Sequence, residues 1–487
     1  MIDWISIEMV LYVILSVTYA FFIAFVLIGI IITKGDPVKS LTWIIVILIF
    51  PIIGILCYLT FGRNLRKKKV LKKGSLRIDK YFAKIVVKQK FDITVPSTKE
   101  TRSILENKKM VNLLFNNNIA PLTHDNSAIV LNNGEETFAK IKEQLLLAKV
   151  FIHLEYYIIE DDIIGNEIAD ILIKKANEGV EVRIIFDAVG SWSLTKHFIR
   201  RLTEAGIEVK PFLPVVFPLL TSHINYRNHR KIIIIDGDVS FTGGINIADR
   251  YVVGTKKLGS WRDTHLMLEG SSTLALHAVF ANDWFFVSGQ MLDNPKYTPS
   301  SVSTQHCAVQ IASSGPDTEW ASIMNAFFSA ITKAKHHLYI STPYFVPGSP
   351  ILTAVKIAAM SGVDVRIMLP KKSDSKMTYY ATRSYITELL ESGVKVYFYK
   401  PGFNHSKIMM TDSSFATIGT ANMDVRSFEQ NYEVAAMIYN NEVATDMECR
   451  FLQDLKEADR IYINEWNKRS KLESWYEGIT RLFSPLL

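Results

Sequence analysis

The chain has 487 residues, 48% hydrophobic and 21% charged, which supplies apolar material for about two or three domains and excludes a disordered protein. Its net charge is +7, but Arg63, Arg66, Lys67, Lys68, Lys69, Lys72, Lys73 and Arg77 supply eight positive charges in one run with no acid among them, so +7 less these eight leaves −1 elsewhere. A near-neutral remainder lacks the basic face of a nucleic-acid enzyme, and nucleic acid is not expected as a partner.

From Met9 to Thr33 there is no charged residue, and none from Ser40 to Gly62, with "KGDPVK" between them. Each stretch exceeds the roughly 20 residues a helix needs to cross a bilayer, so residues 1–62 read as a transmembrane hairpin. A secretory signal is not indicated, because Met1 to Glu8 has no Lys or Arg and no small-residue cleavage site follows. The eight basic residues after Gly62 outweigh Lys34 and Lys39, which predicts a multi-pass protein of the cell membrane with its main body in the cytoplasm. Residues 63–125 are expected to form a basic juxtamembrane linker, each basic residue contributing about 1 kcal/mol against anionic headgroups.

Beyond the linker the chain repeats itself, and residues 126–300 and 301–487 are expected to be two halves. "AKVFIHLEYYI" at Ala148 answers "AKHHLYISTPYF" at Ala334, "GVEVRIIFD" at Gly179 answers "GVDVRIMLP" at Gly362, and "AGIEVKPF" at Ala205 answers "SGVKVYFY" at Ser392. Strands that are apolar along their length, alternating with helical stretches, predict an α/β fold: two pseudo-repeated α/β/α sandwich halves with mostly parallel sheets.

Within the first half, "NHRKIIIIDG" places His229 and Lys231 two residues apart, on one face of an extended segment. Taken alone this is compatible with a solvated strand end. The second half carries "NHSKIMMTD", however, and His405, Lys407 and Asp412 each lie 176 residues beyond His229, Lys231 and Asp236. "GGIN" at Gly243 and "GTAN" at Gly419 keep the same offset. A solvated strand end has no reason to hold these polar and glycine identities in register through a duplication.

This doubled His-x-Lys-x4-Asp pattern resembles the phospholipase D superfamily. With the hairpin in front, the chain from its N-terminal apolar stretch to the terminal "RLFSPLL" resembles the bacterial cardiolipin synthases of that superfamily. The resemblance implies a phosphatidyltransferase at the membrane. Its phospholipid substrate would be phosphatidylglycerol, two molecules of which yield cardiolipin and glycerol through a phosphatidyl-histidine intermediate. The six motif residues His229, Lys231, Asp236, His405, Lys407 and Asp412 form the implied catalytic set, with His229 as nucleophile and His405 as general acid and then base.

The chemistry is consistent with those residue types. Two lysines neutralise phosphate oxygens, and the Asn246 and Asn422 amides are read as further donors. One imidazole attacks while the other protonates the departing alcohol. Asp236 and Asp412 lie beyond four strand residues and read as local anchors. Asp263 in "WRD" and Glu433 in "NYE", taken with the substrate-binding set, are expected to cross to the histidine of the opposite half, as in similar enzymes. Tyr226, Arg262 and Arg426 read equally as headgroup ligands or as packing. "PFLPVVFPLL" from Pro211 reads as a membrane-interface loop or a buried crossover, and "WYEGITRLFSPLL" as an interfacial element or a helix completing the second core. Competing readings are hydrolysis or headgroup exchange on other phospholipids, a membrane-tethered nuclease, and an inactive scaffold. Cys57, Cys307 and Cys449 are too scattered for disulfides or zinc, and with no phosphate-binding glycine loop and no His-Glu-x-x-His spacing, neither a metal nor any other cofactor is expected.

Overall fold

The computed structural model describes residues 4–32, 37–58, 99–118, 120–214, 226–297 and 305–484. The basic run from Arg63 to Arg77, residues 215–220 of the proline-rich segment and the last three residues lie outside that set. The chain divides into an N-terminal helical unit and a large α/β unit.

In the helical unit α1 (Trp4–Ile32) contains a span, Met9–Ile32, that is long and apolar enough to cross a membrane. The second apolar stretch differs from the expected single helix: it forms α2 (Pro37–Ile49) and α3 (Pro51–Cys57). Pro51 has no N–H and its ring clashes with the preceding turn, so the helix breaks at Phe50 and neither piece reaches crossing length. Gly54 lets α3 fold back on α2, since a Cβ there would lie 2.7 Å from the Val46 carbonyl oxygen. Val26, Ile30, Ile47 and Ile55 bury the seam.

The α/β unit contains both halves. The first supplies β1 (Thr123–Asn132), β2 (Phe151–Tyr156), β3 (Glu181–Asp187), β4 (Glu208–Phe212), β5 (Lys231–Ile235), β6 (Val239–Gly243), β7 (Ser260–Arg262) and β8 (Thr264–Gly270). The second supplies β9 (Cys307–Ser314), β10 (His337–Ser341), β11 (Phe345–Val346), β12 (Asp364–Pro370), β13 (Lys395–Tyr399), β14 (Gly402–Asn404), β15 (Ile408–Thr411), β16 (Phe415–Gly419), β17 (Met423–Asp424), β18 (Glu433–Tyr439) and β19 (Ala458–Arg460). Strands β4, β3, β2, β5, β6, β8 and β1 lie side by side in that order. Across the β1–β9 pairing the sheet continues through β9, β18, β16, β15, β10, β12, β13 and β19. The two orders correspond strand for strand, apart from the added β19.

The sheet is mixed, which corrects the expectation of mostly parallel strands. Only β2, β3 and β4, and their counterparts β10, β12 and β13, pair in parallel within it. Both motif strands turn straight into a hairpin, β5 to β6 and β15 to β16. Asp236 and Gly237 turn the first at φ 55° and 79°, Asp412 and Ser413 the second at 52° and 49°, and a connection that short permits only antiparallel pairing.

Strand periodicity sets the cores. Ile232 and Ile234 point into a central cluster shared by both halves, whereas Ile233 and Ile235 join the helix-covered core of the first half. Part of the segment expected as linker is core as well. The helices Lys99–Glu106 and Lys108–Asn118 place Ile104, Met110, Val111 and Leu114 in the second half's cluster.

Candidate active site

His229 and His405 each stand just ahead of their motif strand, at the edge of the sheet where β2 and β10 end. Main-chain bonds clasp the halves at this edge. The His229 N–H donates to the Tyr432 carbonyl at 2.9 Å, the Tyr432 N–H to the Arg227 carbonyl at 2.9 Å, and the His405 N–H to the Arg262 carbonyl at 2.7 Å. Alongside His405, β14 pairs in parallel with β7. Each clasp delivers an acid to the other half's histidine. Nδ1 of His229 lies 3.0 Å from the Glu433 carboxylate and 3.1 Å from the Thr420 carbonyl oxygen. Nδ1 of His405 lies 2.7 Å from Oδ2 of Asp263.

An imidazole whose Nδ1 faces a carboxylate has its tautomer and orientation set, which leaves Nε2 for chemistry; in His405 the Lys407 Nζ stands 3.1 Å from that nitrogen. The acids are themselves held: Thr264 N–H donates to Asp263 at 2.7 Å, and the Thr420 hydroxyl donates to Glu433. Edge-on aromatic rings complete the walls, Tyr157 at 4.7 Å from the His229 ring and Tyr251 at 5.8 Å from that of His405. Each lysine folds back on its own histidine. Nζ of Lys231 donates to the His229 carbonyl at 2.8 Å, and Nζ of Lys407 to the His405 carbonyl at 2.6 Å.

Burial dominates the electrostatics. It pulls His229 down to about 4, aided by the charges of Lys231 and Lys407 and opposed by Glu433. Burial and the same two lysines hold His405 well below the ordinary imidazole value. Burial also draws Lys231 down to about 7 and Lys407 to about 8. Asp263 is pushed up to about 6 by burial, whereas Glu433, equally buried, is kept below the ordinary carboxylate value because His229, Lys231 and Thr420 outweigh that penalty. The same lysine charges bear on both imidazoles, so the motifs form one site. An anion placed beside these two lysines would raise them.

Several expected assignments change. Asp236 and Asp412 stand outside the catalytic set. The Asp236 carboxylate accepts the N–H groups of Lys149, Val150 and Phe151 at 2.7–2.8 Å, and that of Asp412 accepts those of Lys335, His336 and His337 at 2.8–3.0 Å. These bonds hold the left-handed turns at the far ends of the motif strands. Asp263 and Glu433 are fully buried against imidazoles and do not line a substrate surface. Asn246 is held by protein groups, accepting from the Ile158 N–H at 3.2 Å and donating to the Tyr251 hydroxyl at 2.6 Å, while the Asn422 side chain bonds Asp424 and leaves its Oδ1 buried without a partner among the described residues. The Arg262 guanidinium is engaged by Asp454 and the Asp263 carbonyl, both at 2.8 Å, and so packs the clasp. Arg426 is partly buried with its charge bearing on Tyr157, and Tyr226 is partly buried beside Arg227, which ion-pairs with Asp187 at 3.4 Å. Thr420 and Tyr157 lie inside the repeated segments "GTAN" and "AKVFIHLEYYI" without being singled out there, and Thr264 and Tyr251 carried no sequence signal.

Histidine–lysine motifs crossed to acids of the opposite half, on a duplicated α/β frame, define a phospholipase D-like protein. A family model described as cardiolipin synthase, PLD-like domain matches residues 141–284 and 327–455, and one described as phospholipase D-nuclease N-terminal matches residues 21–63. A cardiolipin synthase of Geobacillus sp. (strain WCH70) is 44% identical over 96% of this chain and 92% of its own. Cardiolipin synthase 2 of Bacillus anthracis is 43% identical over 93% of this chain and 87% of its own. The chain belongs to the cardiolipin synthase family of phospholipase D-like proteins. Among solved structures, phosphatidylserine synthase of Haemophilus influenzae matches 78% of this chain and all of its own at a TM-score of 0.60 and 14% identity, a likeness of fold.

Proposed function

We propose that the protein is a cardiolipin synthase that transfers a phosphatidyl group from one phosphatidylglycerol to the terminal hydroxyl of a second, releasing glycerol. Nε2 of His229 attacks phosphorus, the bond to the glycerol oxygen breaks, and His405, which takes up a proton when the phosphate anion binds beside it, gives that oxygen its proton. The resulting phosphatidyl-histidine keeps a reactive phosphorus–nitrogen bond. His405, now neutral, takes the proton of the incoming hydroxyl as its oxygen displaces His229, so atoms and charges balance over the cycle. Lys231 and Lys407 offset the charge that builds on the phosphate oxygens.

The observation that carries this reading is the crossing of Glu433 to His229 and of Asp263 to His405. The near-neutral charge outside residues 63–77 favours a lipid over a nucleic acid. The excess of basic residues after Gly62 supports an α/β unit in the cytoplasm, which thiol labelling of Cys449 from either side of sealed vesicles would test. For the reaction, purified full-length protein is incubated with phosphatidylglycerol in mixed micelles. Cardiolipin and glycerol are expected in equal amounts; phosphatidic acid as the main product, or no turnover, would overturn the assignment.

A further inference from the structure

The helix Lys471–Leu482 is built inside out. Its body-facing side is charged: Glu477 is 2% exposed, with its carboxylate 3.0 Å from Nε of Arg469 and 3.5 Å from Nε of Arg383. Arg481 donates to the Ser384 carbonyl at 2.9 Å, and the Tyr385 hydroxyl donates to Ser484 at 2.9 Å. The outward side is apolar. Leu472, Trp475 and Leu482 are 62%, 60% and 79% exposed, and Tyr476 and Phe483 are exposed with them. Their spacing places all five on one helical stripe. A water-facing helix would carry the reverse arrangement, and a contiguous exposed stripe of this kind marks an interaction surface. The stripe is preorganised, because Ser470 and Glu473 close a capping box at its first turn and Tyr476 stacks on Tyr380 at 5.4 Å.

Its position connects it to chemistry. The helix packs on Lys376–Arg383, which starts shortly after β12 ends, at the sheet edge that carries His405. Asp374, in the connection between them, exerts its charge on both His405 and Lys407. At the equivalent connection after β3 in the first half, Trp192 is 73% exposed. Lys372, Lys376, Lys468 and Lys471 are exposed; Lys376 opens the helix that Lys471–Leu482 packs on, and Lys471 opens that helix itself. The nearby acids are engaged, Asp374 with the Tyr344 hydroxyl and Glu473 with the cap.

We propose that this stripe seats in the headgroup–acyl boundary of an anionic bilayer and turns the histidine edge toward the lipid. The proposal rests on the lipid-transfer reading for its purpose but not for its test. Trp and Tyr at an apolar stripe with exposed lysines at the starts of both helices suit an interface that is apolar below and negative above, and α1 already gives the chain a helix long and apolar enough to cross a membrane. A second copy of this chain would offer the same lysines to itself and would be repelled.

The test uses full-length protein reconstituted in phosphatidylglycerol-containing vesicles. An environment-sensitive fluorophore is attached to Leu482→Cys in a Cys57→Ser, Cys449→Ser background, with Lys174→Cys as the control at the opposite edge of the sheet. The label at 482 is expected to shift to the blue and to be quenched by brominated acyl chains, the control to do neither. Separately, Leu472→Ser/Trp475→Ser/Leu482→Ser should lose about tenfold in turnover on vesicle lipid and keep its turnover on phosphatidylglycerol in excess detergent. Absence of quenching at 482 would overturn the proposal, as would concentration-dependent cross-linking through position 482, which would make the stripe an interface between copies. The quenching arm requires no turnover, so its failure is separable from failure of the assigned reaction.

Discussion

The two motif segments share a backbone and differ beneath it. In both, the leading asparagine accepts the N–H two residues on at 3.1 Å, Arg230 in one and Ser406 in the other, and the lysine reaches its own histidine's carbonyl. The middle residue departs. Arg230 is 3% exposed, ion-paired with Asp283, donates to the Glu433 carbonyl at 3.3 Å and lies 5.3 Å from the centre of the Tyr432 ring. Glu155 lies beside it, raised well above the usual carboxylate range by burial and by Asp283. Ser406 instead shares a hydroxyl bond of 3.2 Å with Thr264, and Ser341 occupies the place of Glu155. The motif histidines and lysines were kept in duplicate while their supports diverged, one ionic and one neutral. The ionic support fastens the His229 side to β18 of the other half, which suits the histidine assigned the covalent bond.

Removing either imidazole tests that division most severely. His229→Ala and His405→Ala are each expected to lower phosphatidyl transfer by about a thousandfold or more. They should differ with a substrate whose leaving group needs no proton: His405→Ala should still accumulate a histidine adduct visible by mass spectrometry, and His229→Ala should not. An adduct on His405 would reverse the roles. Next in size, Asp263→Asn and Glu433→Gln should each cost about a hundredfold or more in turnover, because the partner imidazole loses its fixed tautomer.

Stability changes should be smaller and unequal. Arg230→Met strands Asp283 in the interior and is expected to cost about 3–5 kcal/mol, whereas Ser406→Ala should cost about 1 kcal/mol; denaturant unfolding of the purified protein measures both. Equal losses would erase the contrast between the supports. Asp236→Asn should destabilise by about 1–3 kcal/mol through weakened N–H bonds, with turnover per folded molecule nearly unchanged.

The mildest test is pH. Burial holds His153 and His229 at about 4 and His265 at about 3. A histidine lowered on folding binds fewer protons folded than unfolded, so its stabilisation is complete above about 6.5 and fades as pH falls toward 4. In the second half Glu448 raises His337, whose contribution is complete at low pH and lost as pH rises through its folded value. His405 in the second half is lowered as well, but alone against His153, His229, His265 and His277 in the first, so hydrogen exchange followed from pH 6.5 down to 4 should show the first half loosening before the second.

What the sequence disclosed follows from its chemistry. The motif repeats at a constant offset, so the pairing of two sites was readable without coordinates, whereas the crossing of Asp263 and Glu433 came from the resemblance to similar enzymes and not from spacing. Strand direction was not, since Ile232–Ile235 is equally apolar in parallel or antiparallel company, and only the short Asp236-Gly237 turn betrays the hairpin. Pro51 was present in an uncharged run that hydropathy alone counts as continuous. Arg230 was the least legible, because "HRK" reads as a basic triplet at a strand mouth while its middle member is buried against an acid whose partnership no spacing announces.

The clasp formed by His229, Tyr432, Arg262 and His405 has a consequence for traffic. A jaw that opened by swinging the halves apart would tear these main-chain bonds and pull each imidazole off its acid, disarming the catalyst at the moment of loading. On the proposed lipid-transfer reading, substrates would therefore enter and leave with the two lobes held together.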